Sequence, residues 1–401
     1  MSAAYNNLVT AALVLSGIKK LPDQHGSRAL FQIDNMEKLD ETRDRYFYEE
    51  RSRRIFDWVM QCQAVSDFHG GTSLPVDWGD TPFPAAAWKK LEEKAAAMTS
   101  GFVADDYSLD RIDTWLLESY ALKGLCEALP GDVVFDCGTF TGNTSLYFSQ
   151  KVGAEGHVYG FEASPATFAR YAENMRELAN VTPVHAAVYD ECGTILLAGD
   201  GDSGANVRFP FGVRVPSLTL DAFAREKGIA RVDFIKMDVE GAEKNALEGA
   251  REIIRAHLPK MALSAYHKED DLILLPELID DIAPGRYEFR LRHYSNFICE
   301  TVMFCIPRPA PREEPRPKQA ADGADETCPV CRSLLKAMFA SLRNVVEGQA
   351  QTEPPRLLAL LHKLEETTRQ AADLLNTQET LKAENIVLRS LLEKEKRKNQ
   401  R

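Results

Sequence analysis

Between about Thr114 and Pro307 the chain alternates short apolar runs with helical stretches, and this alternation limits the fold more than any other feature. The runs are VVFDC (133–137), VYGF (158–161), TPVHAAV (182–188), VDFIKMD (232–238), KMALSAY (260–266), YEFRLRHY (287–294) and TVMFCI (301–306). Helical patterns separate the first five. A strand–helix–strand alternation of this kind predicts an α/β domain with a mostly parallel sheet. The last two runs follow each other closely and predict an antiparallel pair at one edge. Such a sheet binds ligands outside the carboxyl ends of its strands, where the strand order reverses. The residues that follow each run are therefore the ones to inspect.

The rest of the chain divides around this domain, taken as residues 114–307. Residues 1–113 read as a mainly helical N-terminal region, with one helical stretch over EKLDETRDRYFYEERSRRIFDWVMQC and another over AAAWKKLEEKAAAM. A loop rich in Gly, Pro, Asp and Thr lies between Gly70 and Pro84. This region is a candidate recognition element over the strand ends. Residues 308–327 are rich in Pro and charge and read as a linker that packs no core. Residues 328–401 read as helical. From Leu357 a heptad places Leu357, Leu364, Ala371, Gln378, Asn385 and Leu392 at a, and Leu360, Thr367, Leu374, Leu381, Leu388 and Glu395 at d. An Asn at one a position suits a parallel two-stranded coil, and hence a homodimer. An amphipathic helix folded onto the enzyme is the other reading.

Bulk numbers exclude several classes. With 48 Lys+Arg against 60 Asp+Glu, the net charge of −12 argues against a nucleic-acid partner. The longest apolar stretch, Leu8–Ile18, is too short for a membrane span and has no basic residue before it, so neither a span nor a signal peptide is expected. Of eight cysteines, six are scattered, the usage of a reducing compartment, which points to the cytoplasm. Cys328 and Cys331 form a lone CxxC that could close a zinc site only across a dimer.

The first run continues into DCGTFTGNTSLYF, residues 136–148. Gly138 and Gly142 frame a turn into a helix, and such a turn lets backbone approach a ligand closely. The string is neither a dinucleotide fingerprint nor a P-loop: Phe140 and Asn143 occupy positions where the former needs glycine, and no GK[ST] follows. Asp136 would repel a pyrophosphate and attract a cationic, amine-bearing ligand, which favours S-adenosylmethionine. After the second run, Glu162 stands where an acid can accept both ribose hydroxyls of an adenosine.

With DCGTFTGNT, FIKMDVEGAE (234–243) and Tyr266–His267 in this order, the chain resembles the FkbM-type family of S-adenosylmethionine-dependent methyltransferases, over roughly residues 115–307. The resemblance implies the class I methyltransferase fold, a Rossmann-like seven-stranded sheet with its last strand antiparallel and helices on both faces. It implies cofactor contacts at Asp136, Gly138, Thr139, Phe140, Gly142 and Asn143 around the turn, at Glu162, and near the adenine at Ala187. It further implies O-methylation of a hydroxyl on a sugar, glycan or secondary metabolite. The protein must then align the hydroxyl and accept its proton. Asp238 is the candidate for positioning, His267 for the base, and His293 is a third candidate. Lys236 reads as a packing residue. Asp238, Glu240 and a substrate hydroxyl could hold Mg²⁺ through oxygen ligands, but a metal-free site is the favoured reading. Two other classes compete: a weakly active methyltransferase-like domain serving as a coiled-coil scaffold, and an NAD-type oxidoreductase, which the missing fingerprint and Asp136 disfavour.

Overall fold

The computed structural model describes residues 31, 35–66, 85–98, 100–103, 110–199, 211–295 and 298–309. The apolar stretch Leu8–Ile18, the Gly70–Pro84 loop, the linker beyond residue 309, the CxxC and the heptad segment lie outside the described residues. Residues 37–62 and 72–315 belong to one compact unit, which holds the sheet.

Seven strands form the main sheet: β1 (Val133–Cys137), β2 (His157–Glu162), β3 (Val181–His185), β7 (Phe234–Met237), β8 (Lys260–Ser264), β9 (Tyr287–His293) and β10 (Thr301–Pro307). Their order is β3-β2-β1-β7-β8-β10-β9. β10 runs antiparallel to both of its neighbours, β8 and β9, and the pairs from β3 to β8 are parallel. The seven-stranded class I methyltransferase-like sheet expected from the sequence is therefore present. Chain order reverses direction between β1 and β7, which makes their carboxyl ends the switch point of the sheet. All four residues of β7 and four of the five in β1 are buried, as strands covered on both faces must be.

The run TPVHAAV splits into two strands. Val181–His185 pairs with β2, whereas β4 (Ala187–Val188) leaves the main sheet and joins β5 (Gly193–Leu197) and β6 (Val213–Leu218) in a small sheet of order β4-β6-β5. β5 carries a short apolar run, Ile195–Leu197, and β6 alternates exposed and buried residues; neither is among the runs read from the sequence.

The helices that matter for the site are α4 (Asn143–Val152), α5 (Pro165–Met175), α6 (Leu220–Lys227), α7 (Glu243–Glu248), α8 (Arg251–His257) and α9 (Asp271–Ile282). The N-terminal region supplies α1 (Met36–Tyr46), α2 (Glu50–Ser66) and α3 (Ala85–Ala97). The first two cover the exposed edge of the sheet. Leu291 of β9 donates its N–H to Ser52 Oγ (3.0 Å), and the Arg292 guanidinium grips Glu49 through two bonds of 2.7 and 2.9 Å. Tyr46 meets Phe289 edge to face. An unpaired strand edge invites foreign strands, and these helices close it. The N-terminal region leads into a short π-helical turn, Arg111–Leu116, in which Leu117 N–H donates to Ile112 O. Turns of this type are rare and recur at functional sites.

Candidate active site

A cavity opens at the carboxyl ends of β1, β2 and β7. It is lined by the turn Gly138–Phe140, by Glu162, by Ala186–Tyr189, by Lys236 and Asp238–Glu240, and by Tyr266 and Glu300. Asp110, just before the π-helical turn, and Asp113 and Thr114 within it also line the cavity, and Tyr120 follows.

The turn after β1 is shaped for close approach. Gly138 has φ +80°, and a Cβ there would collide with the backbone carbonyl of Asp238. The β1 and β7 loops can therefore touch only because residue 138 has no side chain. Gly138 and Thr139 N–H groups both donate to Phe161 O. Gly142, at φ +108°, is held for a different reason: a Cβ would press on Met175 and Tyr171 of α5. It does not line the cavity among the described residues, and neither does Asn143. The buried Asn143 side chain accepts from Val103 N–H (2.9 Å) and Trp115 Nε1 (3.0 Å), so it fastens the N-terminal segment to the start of α4.

Asp136 is fully enclosed and is absent from the cavity wall. Its Oδ2 accepts from Thr144 Oγ1 (2.8 Å) and Ser145 Oγ (2.7 Å), and its Oδ1 lies 3.5 Å from Lys236 Nζ. Burial pushes its pKa up, against the pull of Lys236 and the two hydroxyls. The direct ligand contact expected of Asp136 does not fit this enclosure. Lys236, which the sequence reading set aside as packing, is the side chain that reaches the cavity. It is 1% exposed, donates to the carbonyl oxygens of Cys137 and Gly138, and lies beside the Tyr120 ring. Burial alone would lower its pKa, but Asp136 and Asp238 outweigh burial and leave it raised.

Glu162 is where the sequence places it, at the end of β2 and on the cavity wall. Phe140 N–H donates to its Oε2 (2.9 Å) and Ser164 N–H to its Oε1 (2.8 Å), which fixes the carboxylate against the glycine turn. Burial raises its pKa to about 7, although those N–H groups oppose the shift. Ala187 also lines the cavity.

On the far side stands a set of acids. Asp238 Oδ2 accepts from Tyr120 OH at 2.8 Å. His267 lies behind Asp238, with Nε2 3.4 Å from Asp238 Oδ1 and 3.5 Å from Glu240 Oε2, and Nδ1 2.8 Å from Glu243 Oε1. Burial would lower the imidazole pKa, but Glu243, Glu240 and Asp238 together hold it well above its ordinary value. His267 does not itself line the cavity, and its Nε2 faces the Asp238 and Glu240 carboxylates, so the base role expected of it does not fit this placement. His293 is also misplaced for chemistry. It is buried in the sheet, with Nδ1 2.9 Å from Thr301 Oγ1 and its ring against Trp58, and it does not line the cavity.

Three cavity residues had no signal in the sequence: Asp113, Tyr120 and Glu300. Burial, then the neighbouring Asp238, pushes Glu300 up to about 8, and Tyr266 OH donates to it at 3.3 Å. Asp113 is raised well above the carboxylate range by burial, then by Glu300, Asp110 and Asp238. Phe140, Glu240 and Glu300 all sit at positive φ (48°, 54° and 67°) and all line the cavity. Left-handed backbone at a non-glycine residue costs of order 1–3 kcal/mol and clusters at functional sites. The motifs read from the sequence contain Phe140 and Glu240 but not Asp113, Tyr120 or Glu300, which come from segments with no fixed spacing.

Residues 136–283 match the family model described as the methyltransferase FkbM domain, in line with the resemblance read from the sequence. Among curated proteins, the 2-O-methyltransferase NoeI of Sinorhizobium fredii (strain NBRC 101917 / NGR234) is 30% identical over 146 residues. That match covers 31% of this chain and 60% of NoeI, so the chain spans less than two thirds of that relative. Among solved structures, methyltransferase FkbM from Methylobacillus flagellatus KT matches with a TM-score of 0.48 and 18% identity, over 69% of this chain and 60% of that one. Aeropyrum pernix fibrillarin in complex with natively bound S-adenosyl-L-methionine matches with a TM-score of 0.33 and 17% identity, over 48% and 74% of the two chains.

Proposed function

With a methyltransferase FkbM domain over residues 136–283 as premise, we propose that this protein transfers the methyl group of S-adenosylmethionine to a hydroxyl oxygen, on a sugar, a glycan or a secondary metabolite. The observation that carries this reading is the pairing of a glycine turn and Glu162 on one side of the cavity with a wall of carboxyls on the other. The donor set suits this cofactor. Glu162, held by Phe140 and Ser164, is free to accept from a vicinal diol. Gly138 leaves room for backbone to meet a ligand. Asp110, Asp113, Asp238 and Glu300 supply negative charge to a ligand bearing an ammonium and a sulfonium. The raised carboxyls, Asp113 and Glu300, ionise more readily once such a cation is beside them.

When bound, the cofactor supplies an electrophilic methyl carbon, whose bond to sulfur breaks as the acceptor oxygen bonds to it, leaving a neutral thioether. Asp238 holds the acceptor hydroxyl and receives its proton. Tyr120 fixes the other oxygen of that carboxylate, and the cationic His267 keeps Asp238 ionised until the proton arrives. Lys236, anchored by Asp136, holds the β1 turn and β7 together beneath the ligand.

The test uses methyl-labelled cofactor and a panel of hydroxyl-bearing glycans and metabolites. An alkali-stable labelled ether is expected. Transfer to nitrogen or carbon alone would overturn the hydroxyl assignment. S-adenosylhomocysteine should raise the melting temperature of the wild type, and NAD should not.

A further inference from the structure

The segment FIKMDVEGAE ends in Glu243, which does not line the cavity and has no part in the chemistry proposed for it. Yet Glu243 is 1% exposed, a depth at which a carboxylate needs a partner. Among the described residues its one cationic partner is His267, whose Nδ1 lies 2.8 Å from Glu243 Oε1. The same oxygen accepts from Val239 N–H at 3.0 Å. Val239 directly follows Asp238, so Glu243 reaches the Asp238 carboxylate by two routes, one through the backbone and one through the imidazole. On the second route, His267 Nε2 lies 3.4 Å from Asp238 Oδ1 and 3.5 Å from Glu240 Oε2.

A buried ion pair is often no more stabilising than apolar side chains of the same volume, so the core alone gives no reason for this one. Its position does. The hydrogen bond made by one imidazole nitrogen fixes the ring and decides what the other nitrogen carries. Here both nitrogens face carboxylates, and a ring that serves both must carry a proton on each. Around the ring stand Asp238, Glu240 and Glu243 from the β7–α7 segment, Asp271 at the start of α9, and Glu300 before β10. Tyr266 packs against its face. Burial works against the proton, and Glu243 is the strongest of the groups that hold it in place.

We propose that Glu243 is a positioning residue for methyl transfer: acting through His267, it holds the Asp238 carboxylate in place to receive the proton of the acceptor. The inference rests on the methyltransferase reading of the same cavity. Asp238 remains the proton acceptor, His267 keeps both of its protons, and Glu243 keeps its charge throughout. The two routes can be separated. In Glu243→Gln the amide oxygen still accepts from Val239 N–H, so the backbone route survives while the charge is gone. The ring is then free to lose a proton near the ordinary imidazole value of about 6.5. A neutral imidazole has one N–H in place of two, and Asp238 loses the cation beside it.

The experiment follows the His267 ring by NMR in the full chain, its signal among the eight histidines assigned from its absence in His267→Gln. No titration of this ring is expected in the wild type between about pH 6 and 8.5, and a midpoint near about 6.5 is expected in Glu243→Gln. The ratio of variant to wild-type kcat/KM should be near one at about pH 5.5 and fall about tenfold by about pH 8.5, as the ring loses its proton. A residue that only packs would lower this ratio equally at every pH. Glu243→Asp keeps the charge and should keep the ratio level. A wild-type ring that titrates near its ordinary value would overturn the proposal without any variant having to fold. So would an unmoved ring in Glu243→Gln, or a ratio that does not change with pH. The ring titration needs no cofactor. Wild-type protein that binds no S-adenosylhomocysteine would overturn the methyltransferase reading whatever the ring does, and active protein with an unmoved ring would overturn only the role of Glu243.

Discussion

Asp136 and Asp238 occupy neighbouring parallel strands, and their environments differ sharply. Register pairs Cys137 with Met237, so the two strand ends are level. Asp136 falls one residue before that line and Asp238 one residue after it. The first is sealed, with two hydroxyls and Lys236 around it. The second keeps a fifth of its side chain exposed and faces the cavity. A step of two positions along the strand direction thus separates a carboxylate that holds the sheet together from one that can meet a substrate. Both are acids at strand ends in the sequence, and only the depth of each decides its work.

The largest expected effect tests the sealed side. Lys236→Met leaves Asp136 buried without its cation, and breaking a buried pair from one side costs about 3–5 kcal/mol. The unfolding midpoint in urea should fall accordingly, before any effect on chemistry is considered. Unchanged stability would mean that the Asp136–Lys236 pair contributes nothing to the fold, and the contrast with Asp238 would collapse. On the open side, Asp238→Asn should lower kcat/KM by about 100-fold, the low end for loss of a group that takes a proton in the reaction. Its unfolding midpoint should move little. A variant that loses stability but keeps activity would place Asp238 with Asp136.

Glu162 lies between these extremes, half-buried and with a pKa of about 7. The folded state binds its proton more tightly than the unfolded chain, whose value is near 4.5. This group's contribution to stability is therefore complete below about pH 4.5 and declines as pH rises through about 7. Affinity for a diol-bearing cofactor runs the other way, because only the ionised carboxylate accepts from both hydroxyls. S-adenosylhomocysteine should bind more weakly as pH drops below about 7, approaching tenfold per unit at the limit for a single proton. Titration calorimetry from pH 5.5 to 8.5 checks this, and Glu162→Gln should both weaken binding and flatten the profile.

The strand ends were legible because each follows an apolar run, and a parallel sheet gathers the ends of its strands on one side. Asp136, Glu162 and Asp238 were found in this way. What the runs do not reveal is register. That Lys236 would sit opposite Asp136 depends on a pairing between segments 100 residues apart. A lysine inside an apolar run carries no mark of it. His267 was recognised as a residue type with suitable chemistry, but its protonation is set by Glu243, Glu240 and Asp238, which pack around it only in three dimensions. Glu300 precedes an inserted antiparallel strand and reaches the cavity because β10 lies between β8 and β9. Asp113 comes from a π-helical turn that no periodicity announces. The small sheet escaped notice because its strands are short and half-exposed.

The smallest effects give the finest test, because two hydroxyl deletions can be set side by side. Ser145 Oγ and Tyr120 OH each donate to one of the two aspartates, at 2.7 and 2.8 Å. A hydrogen bond to a charged group is worth about 1.5–3 kcal/mol, less where a second donor remains. Ser145→Ala leaves Thr144 on Asp136, so a loss of about 1 kcal/mol of stability is expected, with kcat/KM within twofold of wild type. Tyr120→Phe keeps the ring beside Lys236 and removes the bond to Asp238 together with a 3.5 Å contact to Ser264 Oγ. It should lower kcat/KM by about three- to tenfold, equivalent to about 0.7–1.4 kcal/mol, while the unfolding midpoint stays nearer to wild type than that of Ser145→Ala. If the serine variant lost activity and the tyrosine variant lost stability, the division of labour between Asp136 and Asp238 would be reversed.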